Sequence, residues 1–255
     1  MTLVSPIFHL RFVYQKWNPV SGYVPRMTPA MVNVVNEELE KLKAADFIEP
    51  SKSPFLSPMV CFKKTDGVLR VCIDFQMVNK DVINNAYPLH CIEYQLQAMA
   101  AAKWFTTLDL TKGYHQMKLA EESKEITAFS TPRGLFQWKV LPMGMKTSGA
   151  VFQRLIDSIV GELQPRCVVV YINNITIFSN SYIEHLHNVD KLLAKLDGAN
   201  LKVNLNKCSF FKKEVLVLGH IVSKEGISPN PKKVEAILES RRPANVTEVK
   251  SFLGL

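Results

Sequence analysis

At 255 residues, 47% hydrophobic and 21% charged, the chain can bury a real core as one large domain or two to three subdomains, an ordinary soluble composition. A formal net charge of +8 favours an anionic partner, nucleic acid ahead of a membrane surface, although a basic surface can also serve solubility alone. Scattered cysteines without a Cys-x-x-Cys pair argue against a thiolate zinc site and for a reducing compartment, and no long apolar run or signal-like start is present, so the expectation is an intracellular protein, cytoplasmic or nuclear, without a membrane span.

Residues 1–30 are short apolar pieces broken by Pro6, Pro19, Pro25 and Pro29, an irregular lead-in. Thr28-Pro29 predicts a capped helix start, and Met31, Val34, Val35, Leu39, Leu42 and Ala45 repeat at helical spacing until about Asp46. An extended, proline-restricted path through Pro50, Pro54 and Pro58 follows. Met59–Lys63 and Val68–Phe75 then flank Lys64-Thr65-Asp66-Gly67, a hairpin with an Asp-Gly turn signal and a cluster of cations (Lys63, Lys64, Arg70) near its tip. That cluster suits either an idle solvated turn or a grip on an anion.

Ile92–Ala102 reads as a helix feeding a strand, Thr106–Leu110, that carries the carboxylate of Asp109. Gly113 permits a close backbone approach and Tyr114 can hold a flat ring above it. Ile126–Ser130 and Leu135–Val140 predict a second hairpin, and Gly149–Leu163 and Tyr182–Leu196 are amphipathic helices. Between them, Val168–Tyr171 and Ile175–Phe178 are strand-like runs about Asn173-Asn174, a pair that suits a tight turn because asparagine tolerates left-handed backbone. Leu201–Leu205 and Val215–Ile221 read as strands, and Lys232–Leu238 as a short helix. His185, His187, Cys208 and His220 match no metal-ligand spacing and read as solvated or packing residues.

From about Gly22 to Leu255 the chain resembles the reverse transcriptase domain of gypsy-type long-terminal-repeat retrotransposons, relatives of retroviral polymerases. The resemblance rests on ordered motifs: Phe47-Ile48-Glu49-Pro50-Ser51, Lys63-Lys64-Thr65-Asp66-Gly67, Leu108-Asp109-Leu110, Gly113-Tyr114-His115-Gln116, Leu141-Pro142-Met143-Gly144, Phe152-Gln153, Leu218-Gly219-His220 and Ser251-Phe252-Leu253-Gly254-Leu255. It implies an α+β right-hand polymerase with fingers, a palm sheet backed by helices, and the start of a thumb. The implied segments are 1–84 lead-in and fingers, 85–120 palm, 121–146 fingers, 147–226 palm, and 227–255 a truncated thumb.

By the same resemblance Lys63, Lys64 and Arg70 close on a nucleotide triphosphate, Gly113 and Tyr114 pack against its sugar, Met143 and Gly144 lie beneath the base, and Leu110 adds a backbone carbonyl to the nucleotide and metal site. Tyr171, Leu218 and Gly219 contact the primer, and Gln76 replaces a common arginine. Transfer from a dNTP to a primer 3′ hydroxyl uses a pair of Mg²⁺ ions, or Mn²⁺, about 3.5 to 4 Å apart, and such hard cations need carboxylate oxygens. The family draws these from the strand aspartate, matched by Asp109, and from an Asp-Asp pair in the hairpin, where this chain has Asn173 and Asn174.

The expectation is therefore an RNA-directed DNA polymerase domain with impaired nucleotidyl transfer and a weak or absent metal site. Its implied partners are an RNA or DNA primer-template duplex, dNTP, other polyprotein domains and a partner subunit. The alternatives are a nucleic-acid-binding remnant without chemistry, and a fossil fragment, the latter suggested by the end at Leu255 without a protease or ribonuclease H segment.

Overall fold

Thr28 begins the first long element of the computed structural model, which describes residues 9–13, 26–63, 67, 69–88 and 90–253. Its hydroxyl accepts the Met31 amide at 3.4 Å, proline occupies the first turn, and the helix Pro29–Ala44 buries Val35, Leu39 and Leu42. The helix stops where Asp46 turns to a left-handed φ of 59°. It belongs to the first of two compact units, which comprises Met1–Leu89, Leu110–Ile159 and Lys195–Val203; the second comprises His90–Asp109, Val160–Ala194 and Asn204–Leu255.

In the first unit Ile48–Pro50, Gly134–Trp138 and Phe129–Thr131 form an antiparallel sheet, with Gly134–Trp138 in the middle. The hairpin here is shorter than the sequence predicts. Glu125–Thr127 is a 3-10 turn rather than strand, because the Thr127 hydroxyl bonds back to the Lys124 carbonyl and accepts the Trp138 amide. Met59–Lys63 pairs with Leu69–Ile73, while Lys64, Thr65, Asp66 and Val68 of the connecting turn lie outside the described residues. The second strand ends at Ile73 instead of Phe75. Asp74 Oδ1 accepts the Gln76 amide at 2.9 Å and starts a short helix, Gln76–Asp81, that the sequence reading did not contain. The expected strand at Leu201–Leu205 reduces to one antiparallel bridge, Val203 to Leu110, before the chain coils into a 3-10 turn at Leu205–Lys207.

The second unit is built on a four-stranded antiparallel sheet in the order Ser209–Lys212, Trp104–Asp109, Asn174–Ser179, Val168–Tyr171. Pleating and register assign its faces. Thr106, Leu108, Ile175, Ile177, Val168 and Val170 share one face and are at most 2% exposed. The opposite face is apolar at one end, where Phe105, Phe178 and Val169 meet Leu96, Met99, Val215, Val217 and Val222, and polar at the other, where Tyr171, Asn174 and Asp109 stand abreast.

A smaller sheet, Glu214–Val217, His220–Ser223 and Gly226–Pro229, completes this core. By the family resemblance Leu218-Gly219 belongs to a hairpin, although the residue pattern alone reads the first two strands as one. Leu218 and Gly219, with φ of 50° and 81°, fold them instead about a tight two-residue turn. Asn230 then caps the helix Pro231–Leu238, and Val246–Leu253 is a final helix.

The helix that starts at Tyr182 is fastened to the sheet by His185, which is fully buried. Thr106 Oγ1 accepts the Phe211 amide and is hydrogen-bonded to His185 Nε2 at 2.8 Å. His185 Nδ1 is hydrogen-bonded to Ser179 Oγ at 3.0 Å, an oxygen that also accepts from Asn188 Nδ2. Burial lowers the basicity of His185, consistent with a neutral imidazole that donates from one ring nitrogen and accepts at the other. His185→Leu should remove the imidazole's hydrogen bonds to the buried hydroxyls of Thr106 and Ser179, leaving them only the Phe211 and Asn188 amides, and cost roughly 1–3 kcal/mol in urea unfolding, at about 0.5–1.5 kcal/mol for each bond lost. His187→Leu, on the exposed side of the same helix, is the control and should change little.

Candidate active site

The hairpin of the second unit closes tightly: Tyr171 pairs with Asn174, leaving Ile172 and Asn173 as its two central residues. The sequence places both asparagines at the tip for their backbone tolerance, and the structure corrects this. The left-handed residue is Ile172, with φ 53°, whereas Asn174 is the first residue of the strand. Asn174 is exposed and lies directly opposite Asp109 in the register. Cβ atoms so paired are about 4.5–5.5 Å apart, so the strand carboxylate and the Asn174 amide are immediate neighbours. Asn173 is half-buried, and its Oδ1 is enclosed without a hydrogen-bond partner among the described residues.

Asp109 has a charged neighbour that the sequence did not suggest. Lys207 Nζ lies 3.7 Å from Asp109 Oδ1, with the carboxylate side chain 25% exposed and the lysine 65%. Nothing in the sequence flags Lys207. It arrives because the Asn204 amide donates to the Asp109 carbonyl at 2.8 Å and the Lys207 amide donates in turn to the Asn204 carbonyl at 2.9 Å. Leu218 and Gly219 form the turn of the smaller sheet, where a Cβ at Gly219 would meet the Lys233 side chain at 3.4 Å.

The remaining predicted residues fall in the first unit. Arg70, Met143 and Gly144 line a cavity of about 600 Å³, within the usual range for small-molecule sites. Its other walls include Met59, Val71, Ile73, His115 and Trp138, with Glu37, Glu38 and Lys41 from the first helix. Gly144 has a φ of 93°, and a Cβ there would meet the Phe75 ring at 3.4 Å. Asn79, absent from the sequence reading, fixes this loop by donating to the Gly144 carbonyl at 2.8 Å and accepting the Lys146 amide at 2.7 Å. Tyr114 stacks on Phe152 with ring centroids 4.8 Å apart, and its hydroxyl is 3.7 Å from where a Cβ on Gly149 would sit. Gly113 and Leu110 are buried. The register pairs Phe62 with Arg70 and Lys63 with Leu69, which points Lys63 and Arg70 to opposite faces of their hairpin. Lys64 lies outside the described residues.

The sequence model described as reverse transcriptase (RNA-dependent DNA polymerase) matches residues 62–222. The chain belongs to the reverse transcriptase family. It is 39% identical over 226 residues to the retrovirus-related Pol polyprotein from transposon 297 of Drosophila melanogaster, covering 87% of this chain and 21% of that protein. To the corresponding polyprotein from transposon gypsy it is 39% identical over 239 residues, 90% of this chain and 23% of the other. Transposon Tf2-7 polyprotein of Schizosaccharomyces pombe is 34% identical over 236 residues, 92% and 18%. The chain thus spans about a fifth of the length of these curated relatives. The fold is that of a foamy viral protease-reverse transcriptase in complex with ds DNA, with a TM-score of 0.89 and 22% identity over 98% of this chain and 44% of that one. A second foamy viral structure, in complex with RNA/DNA hybrid, gives 0.88 and 22% over 98% and 34%.

Reverse transcriptase chemistry is Mg²⁺-dependent, and the donors in this hairpin do not fit a pair of such ions. They amount to one carboxylate already facing an ammonium and two neutral amides, one of them exposed. Among the described residues no group of three or more His, Cys, Asp or Glu could hold a metal, and no helix is long and apolar enough to cross a membrane.

His115, on the wall of the first unit's cavity, sits between the rings of Phe47 and Trp138, each 5.0 Å away. Burial, helped by the nearby Lys112 ammonium, holds its imidazole down from 6.5 to about 4. The unfolded chain therefore takes up a proton between those values that the folded chain resists. The stability this gives is complete above pH 6.5 and is lost as pH falls toward about 4, on the order of 3 kcal/mol. Urea unfolding at pH 7 and pH 5 should show a shallower pH dependence for His115→Phe than for the native chain.

Proposed function

We propose that this chain is a reverse transcriptase domain that binds a primer-template duplex of RNA or DNA while its nucleotidyl transfer is severely impaired. The observation that carries the reading is the register that sets Asn174 against Asp109, with Asn173 at the adjoining tip. These are the positions where the family resemblance calls for two of three carboxylates. The foamy viral relatives with ds DNA and RNA/DNA hybrid support the choice of partner, as does the net charge of +8.

In this reading Asp109, Asn173 and Asn174 mark the catalytic position, Tyr171, Leu218 and Gly219 face the primer, and the cavity lined by Arg70, Met143 and Gly144 belongs to the incoming dNTP. Lys63, Lys64, Leu110, Gly113 and Tyr114 complete the nucleotide side. The division into fingers (1–84, 121–146), palm (85–120, 147–226) and thumb (227–255) belongs to the same proposal, as do contacts with other polyprotein domains or a partner subunit. Mg²⁺ or Mn²⁺ would be held weakly.

Primer extension with each metal is expected to stay near background for the native chain. The Asn173→Asp/Asn174→Asp form should gain at least about a hundredfold, the scale on which a single charge-stabilising group acts in other enzymes. Robust extension by the native chain would remove the impairment from the proposal. Binding of a labelled RNA/DNA duplex, followed across a salt series, should be detectable at low salt and fall steeply as salt rises; no binding at low salt would defeat the nucleic-acid reading itself.

A further inference from the structure

We propose that Lys207 is the resident cation of the Asp109 site, supplying in this chain the positive charge that a divalent ion would otherwise bring. The inference rests on the site assignment above and adds a residue and a consequence to it: the site excludes divalent metal because it is already neutralised, and not merely because ligands are missing.

The placement of Lys207 is built into the sheet. On its N-terminal side the Asn204 amide is bonded to the carbonyl of Asp109 itself, and the 3-10 turn Leu205–Lys207 closes on the Asn204 carbonyl. On its C-terminal side Ser209 pairs with Thr107, two residues before Asp109 on the same strand. Both anchors belong to the strand that carries the carboxylate, so the stem of Lys207 starts beside Asp109 whatever its side chain does. The ammonium uses that position, reaching to 3.7 Å from Oδ1.

Charge then decides what else can enter. Asp109 and Lys207 cancel, and the amides of Asn173 and Asn174 add none, so a divalent ion approaching this hairpin meets a neutral site with a like charge at its edge. Hard dications take charged oxygens over amides. With aspartates at 173 and 174 the same surroundings would carry two net negative charges, and Lys207 would be outvoted. The asparagines thus convert a lysine that a metal site could tolerate into one that occupies it.

The test is Mn²⁺ binding, followed by the loss of the free-ion electron paramagnetic resonance signal, on the folded chain without nucleic acid or nucleotide. The native chain, Lys207→Gln, Asn173→Asp/Asn174→Asp and the triple substitution are compared, with Asp109→Asn/Lys207→Gln as a check on location. The expected order of affinity is native weakest, Lys207→Gln tighter by about two- to fivefold as for release of a partly exposed charge, the double aspartate tighter again, and the triple form tightest. The gain in Lys207→Gln should vanish when Asp109 is also replaced. The proposal is overturned if Lys207→Gln leaves Mn²⁺ affinity unchanged in both backgrounds, if the native chain binds as tightly as the double aspartate, or if the gain survives loss of Asp109. Because no duplex is present, failure here is separate from failure of the nucleic-acid reading.

Discussion

The second unit depends on one register, that of Asn174–Ser179 against Trp104–Asp109. It sets Asp109 beside Asn174 at one end of the ladder and Phe105 beside Phe178 at the other. In a pleated sheet a slip by one residue exchanges the faces. Such a slip of Asn174–Ser179 would turn Ile175 and Ile177 out of the core, take Asn174 off the face it shares with Asp109, and part Ser179 from His185. The apolar packing that stabilises the sheet and the polar row that makes the site are therefore the same choice, made once. The fully buried His185 network reinforces it from behind, since Thr106 and Ser179 reach the imidazole together only in this alignment.

In the first unit a comparable constraint acts through backbone rather than register. Gly144 adopts a conformation that side chains rarely take, against the face of Phe75, and Asn79 ties the loop on both sides of it. This holds Met143, which is 49% exposed, at the wall of the cavity instead of in the core. Burial, with the nearby Lys112 ammonium, keeps His115 uncharged on the cavity wall, whose cationic residues are Arg70 and Lys41 beside Glu37 and Glu38.

Much of this was legible in the sequence because it rests on local signals. Thr28-Pro29, the stripe of Val35, Leu39 and Leu42, and the paired runs around residues 168–178 each declare their structure within a few residues. The losses have a common cause. The Gln76–Asp81 helix is short and starts from an aspartate that equally well continues a strand. The strand Ser209–Lys212 is only four residues long, and it exists because the Trp104–Asp109 edge offers it hydrogen bonds, with a bulge in which Phe211 turns left-handed and gives its amide to Thr106. Asp109 could be singled out from its motif, but Lys207 could not, since its only claim is a position relative to a distant strand. Lys63 and Arg70 are close in sequence, yet the alternation of the hairpin parts them.

Ile172 carries the left-handed turn of the hairpin, a conformation that costs an ordinary side chain roughly 1–2 kcal/mol. The asparagines that follow are spared that task. Asn173 is not in the left-handed region and Asn174 is an ordinary strand residue, so neither is needed for the path of the chain. The tip behaves as a mould shaped by the closing ladder and by Ile172, indifferent to whether the next two side chains end in an amide or an acid. What separates this hairpin from a fully acidic one is the exchange of a nitrogen for an oxygen at two places, with the backbone already paid for.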